Sequence, residues 1–344
     1  MKNTSIVFTG CDQVEVQELE ENLEGLQARE VLVKTSFSLV SAGTELTCLA
    51  GIESWFSFPS TPGYTSVGEV VKVGDQVIEV APGDEVYSWG GHKQYNRVNL
   101  ARPGSMCIPV PAGITLPLVP FARMITIALT ALRVSDIELG DDVAVIGLGL
   151  VGNFAAQLAR LQGGNVIGLD HNPGRVALAA DCGVRNAIVM ENPSAAGKVA
   201  EITNQRGVGT LIEASGRPGA LLDGLPLVGR YGEVILVGIV RGEYQANLSA
   251  VLDYVHLDTR GNVTFKGAHE WRIPVARDAF VKHSIQRNSE IALDLIRCGD
   301  LEVAPLLSHS LSPYEAPEAY HGLKNRKNEF IGVVFDWTAV PTTV

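Results

Sequence analysis

Residues 141–152, DDVAVIGLGLVG, limit what this chain can fold into more than any other segment. An apolar run, 143–147, enters the spacing Gly147-x-Gly149-x-x-Gly152, continues as a helical stretch, 153–161, and is followed by a second apolar run, 166–170. In that context the first glycine permits a tight strand-to-helix turn, the second lets backbone approach a pyrophosphate, and the third lets the helix close on the sheet. The helix N-terminus then faces phosphate charge. Gly147, Gly149, Leu150, Val151 and Gly152 are therefore expected to bind a dinucleotide.

Asp170 ends the second run, where this fold sets a carboxylate against the adenosine ribose hydroxyls. That favours NAD(H), because a 2′-phosphate there would meet like charge. NADP(H) is the alternative, since His171 and Arg175 are near enough in sequence to hold such a phosphate if Asp170 turned away. A third reading, Asp170 as a helix cap before Asn172-Pro173, suits either cofactor.

The rest of the chain supplies a second kind of text. From Ser5 to about Val110, short β-type runs such as 14–16, 31–33, 66–73 and 85–88 are punctuated by Gly, Pro and Asp turns, the pattern of an antiparallel barrel. From about Pro117, helical stretches alternate with apolar runs at 143–147, 166–170, 187–190, 210–214, 234–238 and 263–266, which suits a parallel, doubly wound sheet of six strands. An amphipathic helix around 288–298 and a β-like run, 330–337, complete a tail expected to rejoin the first domain. The expected division is residues 1–118, 119–268 and 269–344.

Net charge is −11 with no dense Lys/Arg run, which argues against nucleic acid or an anionic membrane and for a small-molecule partner. No long apolar segment follows the N-terminal lysine, so a cytoplasmic location is expected. The cysteines Cys11, Cys48, Cys107, Cys182 and Cys298 are odd in number and widely spaced, which reads as reduced thiols rather than a disulfide framework or a zinc lobe.

The stretches SAGTE (41–45), PGYTSVGEV (62–70), PGDEV (82–86), the glycine motif, EASG (213–216) and VGI (237–239) together resemble the medium-chain dehydrogenase/reductase superfamily, the zinc-type alcohol dehydrogenase-like proteins. The resemblance covers nearly the whole chain. It implies an α/β protein with a GroES-like antiparallel β-barrel, then a Rossmann doubly wound parallel sheet, then a tail closing the barrel. It also implies that Ser215, Gly216, Val237, Gly238, Ile239, Ala268, His269 and Glu270 line the nicotinamide half of the cofactor.

Departures from the family pattern are as informative. Where zinc-dependent members carry Cys, His-Glu and a third ligand, this chain has Ala42, Tyr64-Thr65 and Arg123. None is an ordinary zinc ligand, so no metal is expected. With FARMITIALTAL (121–132), the motifs are most similar to the zinc-lacking branch that includes bacteriochlorophyllide-type dehydrogenases, a branch of varied substrates.

Without zinc, other groups must stabilise an alkoxide and move its proton. Arg123 is the candidate for the oxyanion, its alternative being a structural ion pair with Glu45. Thr44 or Tyr64 is the candidate contact for the hydroxyl. For the proton acceptor, His269 ranks first because imidazole titrates in the useful range, then His92, then Glu45. Glu270 and Trp55 would add to a polar cleft suited to a sugar, polyol or cyclitol. The expected activity is therefore hydride transfer between NAD(H) and a secondary alcohol or ketone. Competing readings are C=C reduction of quinone or enoyl type and a non-catalytic nicotinamide-binding sensor. A homodimer or homotetramer is expected, with residues 233–240 as an edge for pairing.

Overall fold

The computed structural model describes residues 2–190, 194–239, 241 and 243–341. It divides into two units: one runs through Arg123 and resumes at Pro274, the other is Met124–Ile273.

In the first unit, β1 (Lys2–Gly10) and β2 (Gln13–Glu20) form an antiparallel hairpin. The main sheet begins with β3 (Glu30–Leu39), β4 (Ser66–Val73), β5 (Glu85–Ser88), β6 (Tyr95–Asn99) and β7 (Cys107–Pro109), paired antiparallel. Its strands bury valines such as Val31, Val33, Val70, Val86 and Val98 on one side, as period-2 alternation requires. One element here is not β-like in structure. Residues Ala42–Leu49 form a helix, because Glu45 reaches back to the Ser41 N–H and anchors its first turn.

The second unit contains β8 (Asp142–Ile146), β9 (Asn165–Asp170), β10 (Asn186–Val189), β11 (Val208–Glu213), β12 (Val228–Leu236) and β13 (Thr264–Gly267). Among the described residues all six pair in parallel, in the order β10-β9-β8-β11-β12-β13. The chain direction across the sheet reverses between β8 and β11, and a doubly wound sheet opens its ligand crevice at the carboxyl ends of such a pair. The helix after β8 is Leu150–Leu161, longer at its start than 153–161, because Gly149 already serves as its N-cap. The expectation of an open edge at 233–240 is corrected: β12 lies inside the sheet with β13 hydrogen-bonded beside it, so the edges are β10 and β13; Val240 lies outside the described residues.

The tail returns to the first unit. It adds the helix Ile285–Cys298, then β14 (Leu307–Leu311), the helix Ala316–Asn325 and β15 (Gly332–Asp336), which pairs Val334 with Leu39 of β3. Tyr320, Phe335 and Trp337 then join Ile6, Phe8 and Val40 in one core. One helical stretch among the described residues, Leu116–Val134, is long and apolar enough to cross a membrane, but 72% of its apolar window is buried within the protein.

Candidate active site

The glycine motif forms an open backbone cradle. Gly147 holds φ at 89°, which ends β8 and turns the chain into the helix. A Cβ on Gly152 would lie 1.7 Å from the Gly147 carbonyl oxygen, so only glycine lets this helix sit so close to the turn. At Gly149 a Cβ would meet only the Arg175 guanidinium, 4.0 Å away. That open face at a helix N-terminus fits a pyrophosphate.

Asp170 ends β9 beside this cradle. Its Oδ2 accepts from Leu148 N at 2.7 Å and its Oδ1 from Asn172 N at 2.8 Å. It does not cap the following helix; Asn172 does, accepting from Gly174 N and Arg175 N. Arg175 Nη1 stands 3.8 Å from Asp170 Oδ2, while its buried Nε has no hydrogen-bond partner among the described residues. A cation so placed, beside the cradle and half-satisfied, fits an anionic ligand. His171 is exposed.

The other candidate cofactor residues sit at the carboxyl ends of β11, β12 and β13, and Glu213 organises two of these ends. Its carboxylate accepts from Ser215 N at 2.8 Å, Ser215 Oγ and Gly216 N at 3.2 Å. Its carbonyl accepts from Val237 N and Gly238 N, both at 2.9 Å. Burial pushes the Glu213 carboxyl above its usual range, opposed by the hydrogen bonds from Ser215 and Gly216. Sequence reasoning read EASG for Ser215 and Gly216 and missed this acid. Ile239 is about half exposed. Ala268 bonds back to Leu236 O at 2.9 Å, and exposed His269 precedes the short turn Glu270–Arg272, in which Glu270 is buried.

In the first unit, Thr44, Glu45, Trp55, Phe56, Thr61 and Tyr64 help line a cavity of about 280 Å³. Tyr64 donates to Ser41 Oγ, and the Thr44 hydroxyl also bonds its phenol oxygen. Burial pushes the Tyr64 phenol up to about 12, with Arg123 pulling it down and Glu45 pushing it further up. The Arg123 guanidinium carbon lies 4.0 Å from the Trp89 ring centroid and 5.3 Å from that of Tyr64. Thr65 is fully buried and donates to Pro120 O at 2.9 Å. Trp55 is 66% exposed at the rim, its indole N–H fixed on Glu53 at 2.9 Å.

These side chains do not fit a zinc ion. Among the described residues no three of His, Cys, Asp or Glu gather as a ligand set. A protonated phenol and a guanidinium are not ordinary zinc donors.

Two expectations need correction. His92 has no accessible surface, because its ring is clasped between Ser38 Oγ at 2.8 Å and Glu45 Oε2 at 3.0 Å, edge-on to Phe335. It does not meet a substrate in this conformation. For Glu45, which the sequence offers as a partner for Arg123 or as a base, the carboxylate receives Ser41 N, His92 Nε2 and Tyr320 Oη, which leaves it poorly placed to act as a base on substrate. Ser41, Trp89 and Tyr320 were not singled out from sequence. Ser41 heads the SAGTE motif and could have been found there; Trp89 and Tyr320 arrive from distant segments with no local pattern.

A profile of the alcohol dehydrogenase GroES-like domain matches residues 27–114, and one of the zinc-binding dehydrogenases matches 151–277. The sorbitol dehydrogenase of Halalkalibacterium halodurans is 25% identical over 298 residues, covering 78% of this chain and 81% of that one. Galactitol-1-phosphate dehydrogenase from Escherichia coli superposes with a TM-score of 0.79 at 20% identity, over 97% of this chain and 99% of that one. A zinc-binding dehydrogenase from Sinorhizobium meliloti, described as putative and bound to NADP, gives 0.76 at 21% identity over 98% and 99%. With both domain profiles matched in order around the geometry described, the chain belongs to the medium-chain, zinc-type alcohol dehydrogenase-like superfamily.

Proposed function

We propose that this protein is a zinc-independent dehydrogenase that interconverts a secondary alcohol and a ketone on a polyol, sugar or cyclitol, with NAD(H) favoured over NADP(H). The observation that carries the reading is Arg123 against the ring of Tyr64, beside a cavity bordered by hydroxyl groups; the family resemblance expects zinc ligands at these two positions in zinc-dependent members. The sorbitol and galactitol-1-phosphate dehydrogenases named above act on polyols, which supports the substrate class.

Gly147, Gly149, Leu150, Val151 and Gly152 would hold the pyrophosphate, Asp170 the adenosine ribose, and Ser215, Gly216, Val237, Gly238, Ile239, Ala268 and His269 the nicotinamide half. A bound nicotinamide supplies or accepts the hydride. The chain's residues do the rest. Tyr64 keeps its proton through the neutral range; when substrate binds, the Ser41 hydroxyl turns to donate to the phenol oxygen and the Tyr64 O–H passes from Ser41 Oγ to the substrate oxygen. Arg123, permanently charged, stabilises negative charge developing on that oxygen. Thr44 orients the hydroxyl with Tyr64, and exposed His269 takes or returns the hydroxyl proton.

The test is reduced-cofactor absorbance with purified protein in chelator, offering NAD and NADP with polyols, sugars and cyclitols. Turnover with NAD in chelator is expected. Activity appearing only after zinc is added would sink the proposal, and activity restricted to quinones or enones would replace it with C=C reduction.

A further inference from the structure

Ser41 precedes the helix Ala42–Leu49, where a serine hydroxyl ordinarily accepts from the N–H groups of the first turn. Here it makes no such bond, and its hydroxyl is engaged by Tyr64 instead. A different group holds the helix start. Glu45 folds back so that Oε1 accepts from Ser41 N at 2.7 Å, while Oε2 accepts from Tyr320 Oη at 2.5 Å and meets His92 Nε2 at 3.0 Å.

The partners of that carboxylate are themselves fixed. Trp337 Nε1, which can only donate, bonds Ser38 Oγ at 2.9 Å, and Ser38 Oγ lies 2.8 Å from His92 Nδ1. The Glu45 carboxylate can only accept, so the proton facing it sits on Nε2, which donates to Oε2; in the neutral ring Nδ1 then accepts from the Ser38 hydroxyl, whose lone pair takes the indole N–H. Glu45, His92 and Tyr320 are 2%, 0% and 1% exposed, so this network excludes water and has little freedom to rearrange. Among the described residues, Tyr64 and Arg123 face it on the cavity side and Cys48 lies beside Tyr320.

We propose that Glu45 is a positioning residue, held by His92 and Tyr320, which frees the Ser41 hydroxyl to orient Tyr64 at the substrate oxygen. Glu45 does not touch substrate; it acts through Ser41 and Tyr64. The inference rests on the role of Tyr64 given under the proposed function.

A double-variant cycle tests it, with the polyol or cyclitol that the wild type oxidises. Glu45→Ala is expected to lower kcat about 10- to 100-fold, the scale of a misplaced catalytic contact, with the cofactor KM unchanged. Combined with Tyr64→Phe it should be no slower than Tyr64→Phe alone, because both remove the same contact. Glu45→Gln keeps an acceptor for Ser41 N but turns an amide N–H2 toward the His92 Nε2–H, so it should recover part of the rate that Ala loses. Losses that multiply, a folded Glu45→Ala protein with wild-type kcat, or a Gln variant no better than Ala would each overturn the inference. If Glu45→Ala does not fold, Tyr320→Phe, which removes one holder of the carboxylate, takes its place in the cycle. Full turnover in Tyr64→Phe would remove the functional reading as well; slow Tyr64→Phe with multiplying losses removes the positioning role alone.

A second readout needs no substrate. In Tyr320→Phe protein, adding Glu45→Gln should move one step of the tyrosinate absorbance titration to lower pH, and the movement should vanish when Tyr64→Phe is added. Superposed titrations would overturn the coupling.

Discussion

Arg123 stacks on Trp89, its guanidinium carbon 4.0 Å from the ring centroid, in a position only 4% exposed. A guanidinium is permanently charged, and this one also faces the ring of Tyr64, which lines the cavity, at 5.3 Å, so its field reaches that cavity. Arg123→Met should therefore lower kcat about 100- to 1,000-fold, the cost of losing one oxyanion donor. Arg123→Lys should lose less, since the point charge survives while the planar stack does not. Steady-state kinetics of the two variants check this; equal, intact turnover in both would exclude Arg123 from the chemistry.

Asp170 binds Leu148 N through one oxygen and Asn172 N through the other, with Arg175 on its flank. A ribose hydroxyl added to that carboxylate would be a hydrogen bond to a charged group, worth about 1.5–3 kcal/mol. Asp170→Ala should weaken NAD binding about 10- to 100-fold. It should weaken NADP less, because Arg175 then faces the 2′-phosphate without a competing carboxylate. Calorimetric titration with both cofactors decides the matter, and an unchanged NADP-to-NAD ratio would remove Asp170 from cofactor selection.

The cradle makes a sharper structural prediction. A methyl at Gly152 would overlap the Gly147 carbonyl, and backbone cannot move aside as a flexible side chain can. Gly152→Ala should cost at least the roughly 1–3 kcal/mol of overpacking and abolish the stabilisation that NAD confers on the second unit. Melting with and without cofactor measures both. Wild-type protection by NAD in Gly152→Ala would mean that the pyrophosphate binds elsewhere.

The parts legible in the sequence were those that local physics dictates. The run into Gly147-x-Gly149-x-x-Gly152 announced its strand, turn and helix because the apolar period and the glycines leave few alternatives. The doubly wound sheet followed from the alternation of short apolar runs with helices. Strand order was less accessible. Residues 233–240 looked like an edge, yet β12 is interior because β13 pairs with it from about 30 residues later. The helix Ala42–Leu49 was hidden because its anchor is the side chain of Glu45 rather than the usual serine cap. Buried His92 and Glu45 looked like acid-base candidates for the same reason: their partners Ser38, Tyr320 and Trp337 are up to 299 residues apart in sequence, and only the folded sheet brings them together.

Tyrosine burial gives this protein a predictable alkaline weakness. Tyr320 is pushed well above its usual 10 by burial first and by the facing Glu45 carboxylate second; Tyr64 is pushed to about 12, again mainly by burial. In the unfolded chain both phenols titrate near 10. Above that pH the unfolded state has released protons that the folded state still holds, so stability must fall as pH rises. The contribution is complete below about pH 10 and is lost through the folded values. Each phenol can steepen the decline by up to about 1.4 kcal/mol per pH unit. Tyr320→Phe should be less stable at neutral pH, having lost its hydrogen bond to Glu45, but should decline less steeply between about pH 10 and 11. Tyr64→Phe should flatten the same limb. Denaturation midpoints from about pH 8 to 11 for wild type and the two variants test this. Curves that run parallel throughout would show that neither phenol is held protonated by the fold, and would also remove the physical basis for treating Tyr64 as a hydrogen-bond donor that keeps its proton at neutral pH.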